Sequence, residues 1–305
     1  MHIPDGFLST PVWATLDAVA LPSVALLARR AQREFDHHRI PLMGVMGAFV
    51  FAAQMINFPV GSGTSGHLVG GALLSFTLGP AAASIVMTAI LATQALVFQD
   101  GGILALGANV FNMAIAGVLA GYLPYALLRG RKTGIFLGGM FSVLVSAGFA
   151  LIELLRSHVP IHGTALAVSM GLFAIAAVLE GAITLAVVQA LERIQTGFLK
   201  HPKGVRGWGV LALTGTSTVI AGFGVLLASA RPDGIWSLAG KAGITSRAMA
   251  FLSSPLADYR IRIISSPFLA RSLAGLLGLL IVYLVCLGVS RILIAFRPAP
   301  EREGT

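Results

Sequence analysis

Long apolar runs broken by short polar or basic segments dominate this chain of 305 residues. About 20 consecutive, mostly apolar residues are needed for a helix to cross a bilayer core. On that measure residues 11–28 and 41–57 predict two helices. A shorter run, residues 67–78, stops at Gly79-Pro80, a turn signal, and reads as a buried, partly re-entrant segment. Residues 81–98, 103–128, 134–155 and 164–191 predict four more helices. A polar, basic stretch at 192–206 follows, and then helices at 209–228 and 268–296 enclose a polar loop at 229–267. The expectation is an all-α polytopic membrane protein of about nine spans, with a seven-helix body and a two-helix C-terminal hairpin.

Composition agrees: 56% of residues are hydrophobic and 11% charged, where a soluble domain carries about 25% charged residues. The net charge of +9 would suggest a nucleic-acid partner in a soluble protein. Here the basic residues collect between apolar runs and read as topology signals, with no nucleic acid implied. Arg29, Arg30, Arg33 and Arg39 follow the first helix, and Arg129, Arg131 and Lys132 the fifth. Arg193, Lys200, Lys203 and Arg206 follow the seventh, and Arg291, Arg297 and Arg302 lie at the C-terminal end. These sets alternate correctly if the N-terminus is outside and the C-terminus cytoplasmic. The predicted domains are residues 1–191, a cytoplasmic linker at 192–208, and residues 209–305. A basic leader is missing before MHIPDG, so the chain is expected to start at its mature residue in a bacterial or archaeal plasma membrane. Cys286 is the sole cysteine; it reads as a packing residue and leaves any metal site to nitrogen or oxygen donors.

The chemistry concentrates on the face predicted to be external. The Met1 amine, the His2 amide nitrogen and the His2 imidazole form fused five- and six-membered chelate rings, a nitrogen set suited to Ni(II) or Cu(II). His67 ends a glycine-rich stretch that also contains Thr64 and Ser65, and is the candidate fourth nitrogen. Thr64 or Ser65 would hydrogen-bond an imidazole from behind. Asp5 sits in a Pro4-Asp5-Gly6 turn and either closes that turn or supports the terminal site. Asn109, Asn112, Gln54, Gln94, Gln99 and Asp100 lie near the outer ends of their segments, as helix–helix hydrogen-bond partners or loop supports. Glu153 and Glu180 are intramembrane carboxylates, functional or structural. His158 and His162 read as solvated loop residues. A second Pro-Asp-Gly, at Pro232-Asp233-Gly234, echoes the first and reads as a common turn sequence. The chain contains no GxxxxGK[ST], HExxH or cysteine cluster, so energy for active transport must come from a partner or an ion gradient. Ala14 and Ala18 form a small-xxx-small pair, a face for a partner helix.

MHIPDGFLS at the start, GTSGHLVGGAL from Gly63 and GGILALGANVFNMAIAG from Gly101 resemble the CbiM/NikM family over residues 1–191. Members are substrate-binding membrane components of energy-coupling-factor transporters for cobalt and nickel. The C-terminal part, with its Pro-Asp-Gly loop and SSPLADY from Ser253, resembles the small CbiN/NikN subunit, here fused. The resemblance implies Ni(II) or Co(II) as transported substrate, with no cofactor, and ligands at Met1, His2 and His67. It also implies a transmembrane coupling component and cytoplasmic ATPase subunits as partners, with no enzymatic activity in this chain. Pro4-Asp5 and Ser65-Gly66-His67 depart from the cobalt-type pattern, which points towards nickel while leaving both metals open.

Two other readings compete. Gly63-Thr64-Ser65-Gly66 matches the GxSG pattern of rhomboid-like intramembrane serine proteases. Such an enzyme needs a histidine base on another helix, whereas His158 and His162 fall in a loop and His201 on the cytoplasmic side. A stand-alone ion-coupled transporter would need intramembrane charges, which are few.

Overall fold

The computed structural model describes residues 1–34, 40–61, 63–199, 208–229 and 231–296. Arg39, the linker residues 200–207 with Lys200, His201, Lys203 and Arg206, and the terminal Arg297 and Arg302 lie outside the described residues. Helices α1 (Thr10–Glu34) and α2 (Ile40–Gln54) come first. The chain then leaves helical structure for an antiparallel pair, β1 (Asn57–Gly61) and β2 (Thr64–His67), with Asn57 opposite His67. Helix α3 (Gly71–Leu78) is buried along its whole length. Helix α4 (Pro80–Thr93) widens into a π-helical turn at Gln94–Phe98. Helix α5 (Leu106–Asn109), a π-helical segment Val110–Gly117 and α6 (Val118–Leu127) form one continuous rod. Helices α7 (Lys132–Arg156) and α8 (Gly163–Ile194) complete the body. Helices α9 (Trp208–Phe223), α10 (Gly234–Lys241) and α11 (Pro267–Ala295) form the C-terminal part.

Seven described helices are long and apolar enough to cross a membrane, and the protein is multi-pass. Two of the nine expected helices, α2 and α3, are shorter than a full span. At 1.5 Å per residue, α2 and α3 rise only about 22 and 12 Å, short of the ~30 Å hydrocarbon core. Helix α2 stops at Gln54 because the glycine-rich segment after it pairs as a β-hairpin, which satisfies its backbone groups without a helix. His67 therefore closes a strand and does not open a helix. Helix α1 runs past its predicted end, so Arg29, Arg30 and Arg33 lie on its last turns, with Arg30 Nε donating to Glu34 at 2.8 Å. The 229–267 stretch is not a bare loop, since α10 and two short 3₁₀ turns are built into it.

Helices in lipid gain little from hydrophobic contact with one another, so close packing of small residues carries the association. A side-chain carbon on Gly139 would lie 2.8 Å from the Gly181 Cα, so α7 and α8 meet backbone to backbone. Helices α9 and α11 pack on α2, where Ser290 Oγ approaches Met43 Sδ at 3.3 Å and Cys286 is free and buried. The C-terminal helices are thus docked on the body.

One end of the bundle carries the N-terminal segment, the β-hairpin, the 99–105 loop and the 229–266 segment. Ile3 is fully buried; its N–H donates to Asn109 Oδ1 at 2.8 Å and its carbonyl accepts from Gly102 N at 2.9 Å and Asn109 Nδ2 at 3.0 Å. Asp5 accepts from Ile103 N at 2.8 Å and Ala105 N at 3.0 Å. The first residues are thereby latched into the fold.

The latch is tight at Gly102, where a side-chain carbon would fall 2.1 Å from Asp5 Oδ1. Gly102→Ala is expected to cost about 1–3 kcal/mol through overpacking. Gly148→Ala, whose added carbon meets nothing within 4 Å, should be neutral. Thermal unfolding in detergent measures both; equal midpoints would show that the latch contributes nothing to stability.

Candidate metal centre

His67 is aimed by the segment behind it. Glu180, buried in α8, accepts from Val69 N and Gly70 N, both at 2.8 Å, and so clamps the chain as it leaves β2. His67 Nδ1 lies 2.9 Å from the Leu68 carbonyl, an acceptor only, so Nδ1 carries the proton. Nε2 is then a lone-pair donor, and it faces the Met1 ammonium at 2.6 Å. Burial, reinforced by that ammonium, pushes the His67 pKa down to about 3. His67 is neutral at physiological pH, the state a metal ligand requires.

The His2 ring stacks on His67, with centroids 5.4 Å apart and planes 4° from parallel. Its Nδ1 lies 3.2 Å from Asp100 Oδ1, while its buried Nε2 has no hydrogen-bond partner. Asp100 also accepts from the Tyr259 hydroxyl at 2.7 Å. Burial alone would raise the Asp100 pKa, but His2 and the two hydrogen bonds override it and hold the carboxyl well below the usual range. Burial and then Asp100 push the Tyr259 phenol well above its ordinary value.

Sequence reasoning missed the third arm. Asp233 caps α10, accepting from Trp236 N at 2.8 Å through Oδ1, and its Oδ2 takes the Met1 ammonium at 2.8 Å. The ammonium charge and these hydrogen bonds overcome burial and keep the Asp233 pKa below its ordinary value. The second Pro-Asp-Gly was the available signal, but only the docked C-terminal part brings it to the amine. Ser65 N donates to the Pro232 carbonyl at 2.8 Å, which seats the turn on β2. A cavity of about 20 Å³ remains between Met1, Ser65, His67, Asp233, Leu172 and Phe173. That holds one water-sized body.

The remaining predicted residues separate. Thr64 and Ser65 do not support an imidazole: the Ser65 hydroxyl donates to the Arg231 carbonyl at 2.7 Å and Thr64 Oγ1 pairs with Ser237 Oγ at 2.8 Å. Both hydroxyls are drawn to the 231–237 turn because it lies directly over β2. Asn109 and Asp5 hold the N-terminal segment, as loop supports. Asn112 turns away and donates to Glu153 at 2.8 Å, joining the α5–α6 rod to α7. Gln54 reaches the Val69 carbonyl at 2.8 Å and accepts from Gln94 at 2.9 Å. His158 and His162 are exposed. Among the described residues no three His, Cys, Asp or Glu side chains group as metal ligands.

Residues 2–198 match the cobalt uptake substrate-specific transmembrane region, CbiM. The chain belongs to the CbiM family. Residues 208–295 match the PDGLE domain, so the C-terminal part is a CbiN-like module fused to the CbiM body. The chain is 36% identical over 232 residues to a putative fused nickel transport protein of Archaeoglobus fulgidus, covering 72% of this chain and 74% of that protein. It is 35% identical over 259 residues to a probable fused nickel transport protein of Lactiplantibacillus plantarum, covering 78% of each. A crystal structure described as a transition metal transporter superposes with TM-score 0.57 at 35% identity, covering 68% of this chain and all of that one. This CbiM-family protein is thus a membrane component of cobalt or nickel transport.

Asp233→Asn removes the carboxylate from the Met1 ammonium and should cost about 2 kcal/mol, the scale of a hydrogen bond to a charged group. A depressed folded pKa contributes stability above the unfolded value near 3.9, and that contribution fades as pH falls through the folded value. The gap between wild type and Asp233→Asn should therefore be full at pH 7 and close in acid. Thermal midpoints across pH measure it; a gap constant down to pH 2 would exclude the ion pair as its source.

Proposed function

We propose that this chain is the substrate-binding component of an ATP-driven importer of Ni(II) or Co(II). Its ligands are the Met1 amine, the His2 amide nitrogen and imidazole, and His67 Nε2. The observation that carries this reading is the 2.6 Å approach of the Met1 nitrogen to a lone pair on buried His67, beside an ion-sized cavity. The face carrying these atoms is taken as the outer one. Cytoplasmic ATPases act through a transmembrane coupling component, since the sequence holds no phosphate-binding loop. Nickel is favoured, because two relatives that match more than 70% of this chain are named as fused nickel transport proteins.

Loading follows from the geometry. The amine arrives as an ammonium held by His67 and Asp233, and the metal replaces its proton and that of the His2 amide. The six-membered chelate ring closes through His2 Nδ1, which now faces Asp100 Oδ1 at 3.2 Å, and the imidazole proton shifts from Nδ1 to the unpartnered Nε2. Loading therefore takes Nδ1 off Asp100. The small cavity admits an ion and little water, so bound hydration must be shed at the site. The protease reading finds no support: the Ser65 hydroxyl donates to the Arg231 and Pro232 carbonyls, and His67 Nδ1 and Nε2 are engaged by Leu68 and Met1.

Adding one residue before Met1 turns the primary amine into an amide, and His67→Ala removes the fourth nitrogen. Each should weaken nickel binding by more than the 10–100-fold typical of losing an outer partner. Competition titration with a chelator of known affinity reads this, and unchanged affinity in the extended chain would sink the terminal chelate. Affinity in the native chain should climb with pH as the amine and amide give up protons. His67, neutral above about pH 3, adds nothing to that slope.

A further inference from the structure

A second cavity, about 400 Å³, lies between the CbiM body and the C-terminal module and opens beside the small one. His2, His67, Asp100 and Asp233 stand in its wall. Six waters around a divalent ion occupy only about 180 Å³, from ~30 Å³ each. The larger space has the size of a small-molecule pocket, typically about 300–1,000 Å³. A hydrated ion alone does not account for it.

The charges lining it do not suit a bare cation either. Arg231 and Arg271 both line the cavity and are exposed. Neither guanidinium has a hydrogen bond or ion pair among the described residues. Asp100 and Asp233 are already engaged, by His2 and Tyr259 and by the Met1 ammonium. Asp258 is the one further carboxylate of the described lining. Two free guanidinium forks repel a dication and match carboxylates, which they bind bidentately. Deeper in the wall stand His67 and His2, the latter 4% exposed. The cavity thus offers carboxylate-binding groups towards solvent and nitrogen donors within.

We propose that this cavity is a vestibule that receives the transition metal as a complex with a small carboxylate chelator. Arg231 and Arg271 hold the chelator's carboxylates while metal–oxygen bonds break and bonds to His2, His67 and the terminal amine form. The exchange transfers no electrons. The protons displaced from the amine and amide pass to the freed carboxylates or to water. This rests on the reading of Met1, His2 and His67 as the metal's ligands.

The test uses the full chain with its native N-terminus in lipid nanodiscs and radioactive nickel, supplied as the aqua ion or as the citrate complex. At fixed free nickel, raising the citrate complex should speed loading of wild type and then saturate. Arg231→Gln with Arg271→Gln should cut that gain about 10-fold and leave loading from the aqua ion unchanged or faster, as removal of a steering charge does. Substitution-inert chromium(III) citrate should slow loading of wild type from nickel citrate, a readout that needs no variant. Loading that follows free nickel alone, or arginine variants that slow both sources equally, would overturn the vestibule and leave the metal site standing. No loading from either source would bring down the metal site as well.

Discussion

A charged ammonium at the buried Met1 position dominates this end of the molecule. It cannot sit inside protein unpaired, because desolvating a lone charge is far costlier than burying apolar surface. The fold answers with a neutral imidazole on one side and a carboxylate on the other, His67 at 2.6 Å and Asp233 at 2.8 Å. These partners come from different parts of the chain, His67 from the body and Asp233 from the C-terminal module. The need to neutralise one nitrogen therefore ties the strand pair of the body to the C-terminal module.

Other contacts at this end follow the same logic. Ile3 is held by Asn109 and Gly102, Asp5 by the 103–105 backbone, and His67 by the Glu180 clamp on the residues that follow it. Each uses a polar side chain to satisfy backbone groups that neither lipid nor a helix can satisfy. The two intramembrane glutamates divide on this basis. Glu180 orders the segment leaving His67, whereas Glu153 joins Asn112 between helices away from the site. The C-terminal module adds a second linkage through Tyr259 and Asp100 to His2, so both N-terminal residues feel its position.

Much of this was readable beforehand. Hydropathy located the long helices because lipid demands continuous apolar length, and the Met-His terminus and His67 stood out as nitrogen donors without cysteine. The β-hairpin at 57–67 was not readable, because its glycines suppress any periodic signal and its pairing is decided by the ladder. Thr64 and Ser65 looked like supports for an imidazole, but the turn lying over them captured their hydroxyls. Asp233 looked like an ordinary turn residue, and by its local sequence it is one: it caps α10 with one oxygen and meets the ammonium with the other.

The sequence by itself determined the membrane-spanning body, the fused C-terminal module, the family, and the candidate nitrogen donors. All of these depend on local composition, on spacing along the chain, or on motifs carried by contiguous residues. Only the tertiary structure decided that Asp233 faces Met1, that Asp100 stands between His2 and Tyr259, and that a large cavity opens beside a small one. The contacts of Met1 with Asp233 and of Asp100 with Tyr259 join residues 232 and 159 positions apart. They arise when two packed units bring buried charges together, a constraint that acts through space and leaves no pattern in the order of residues.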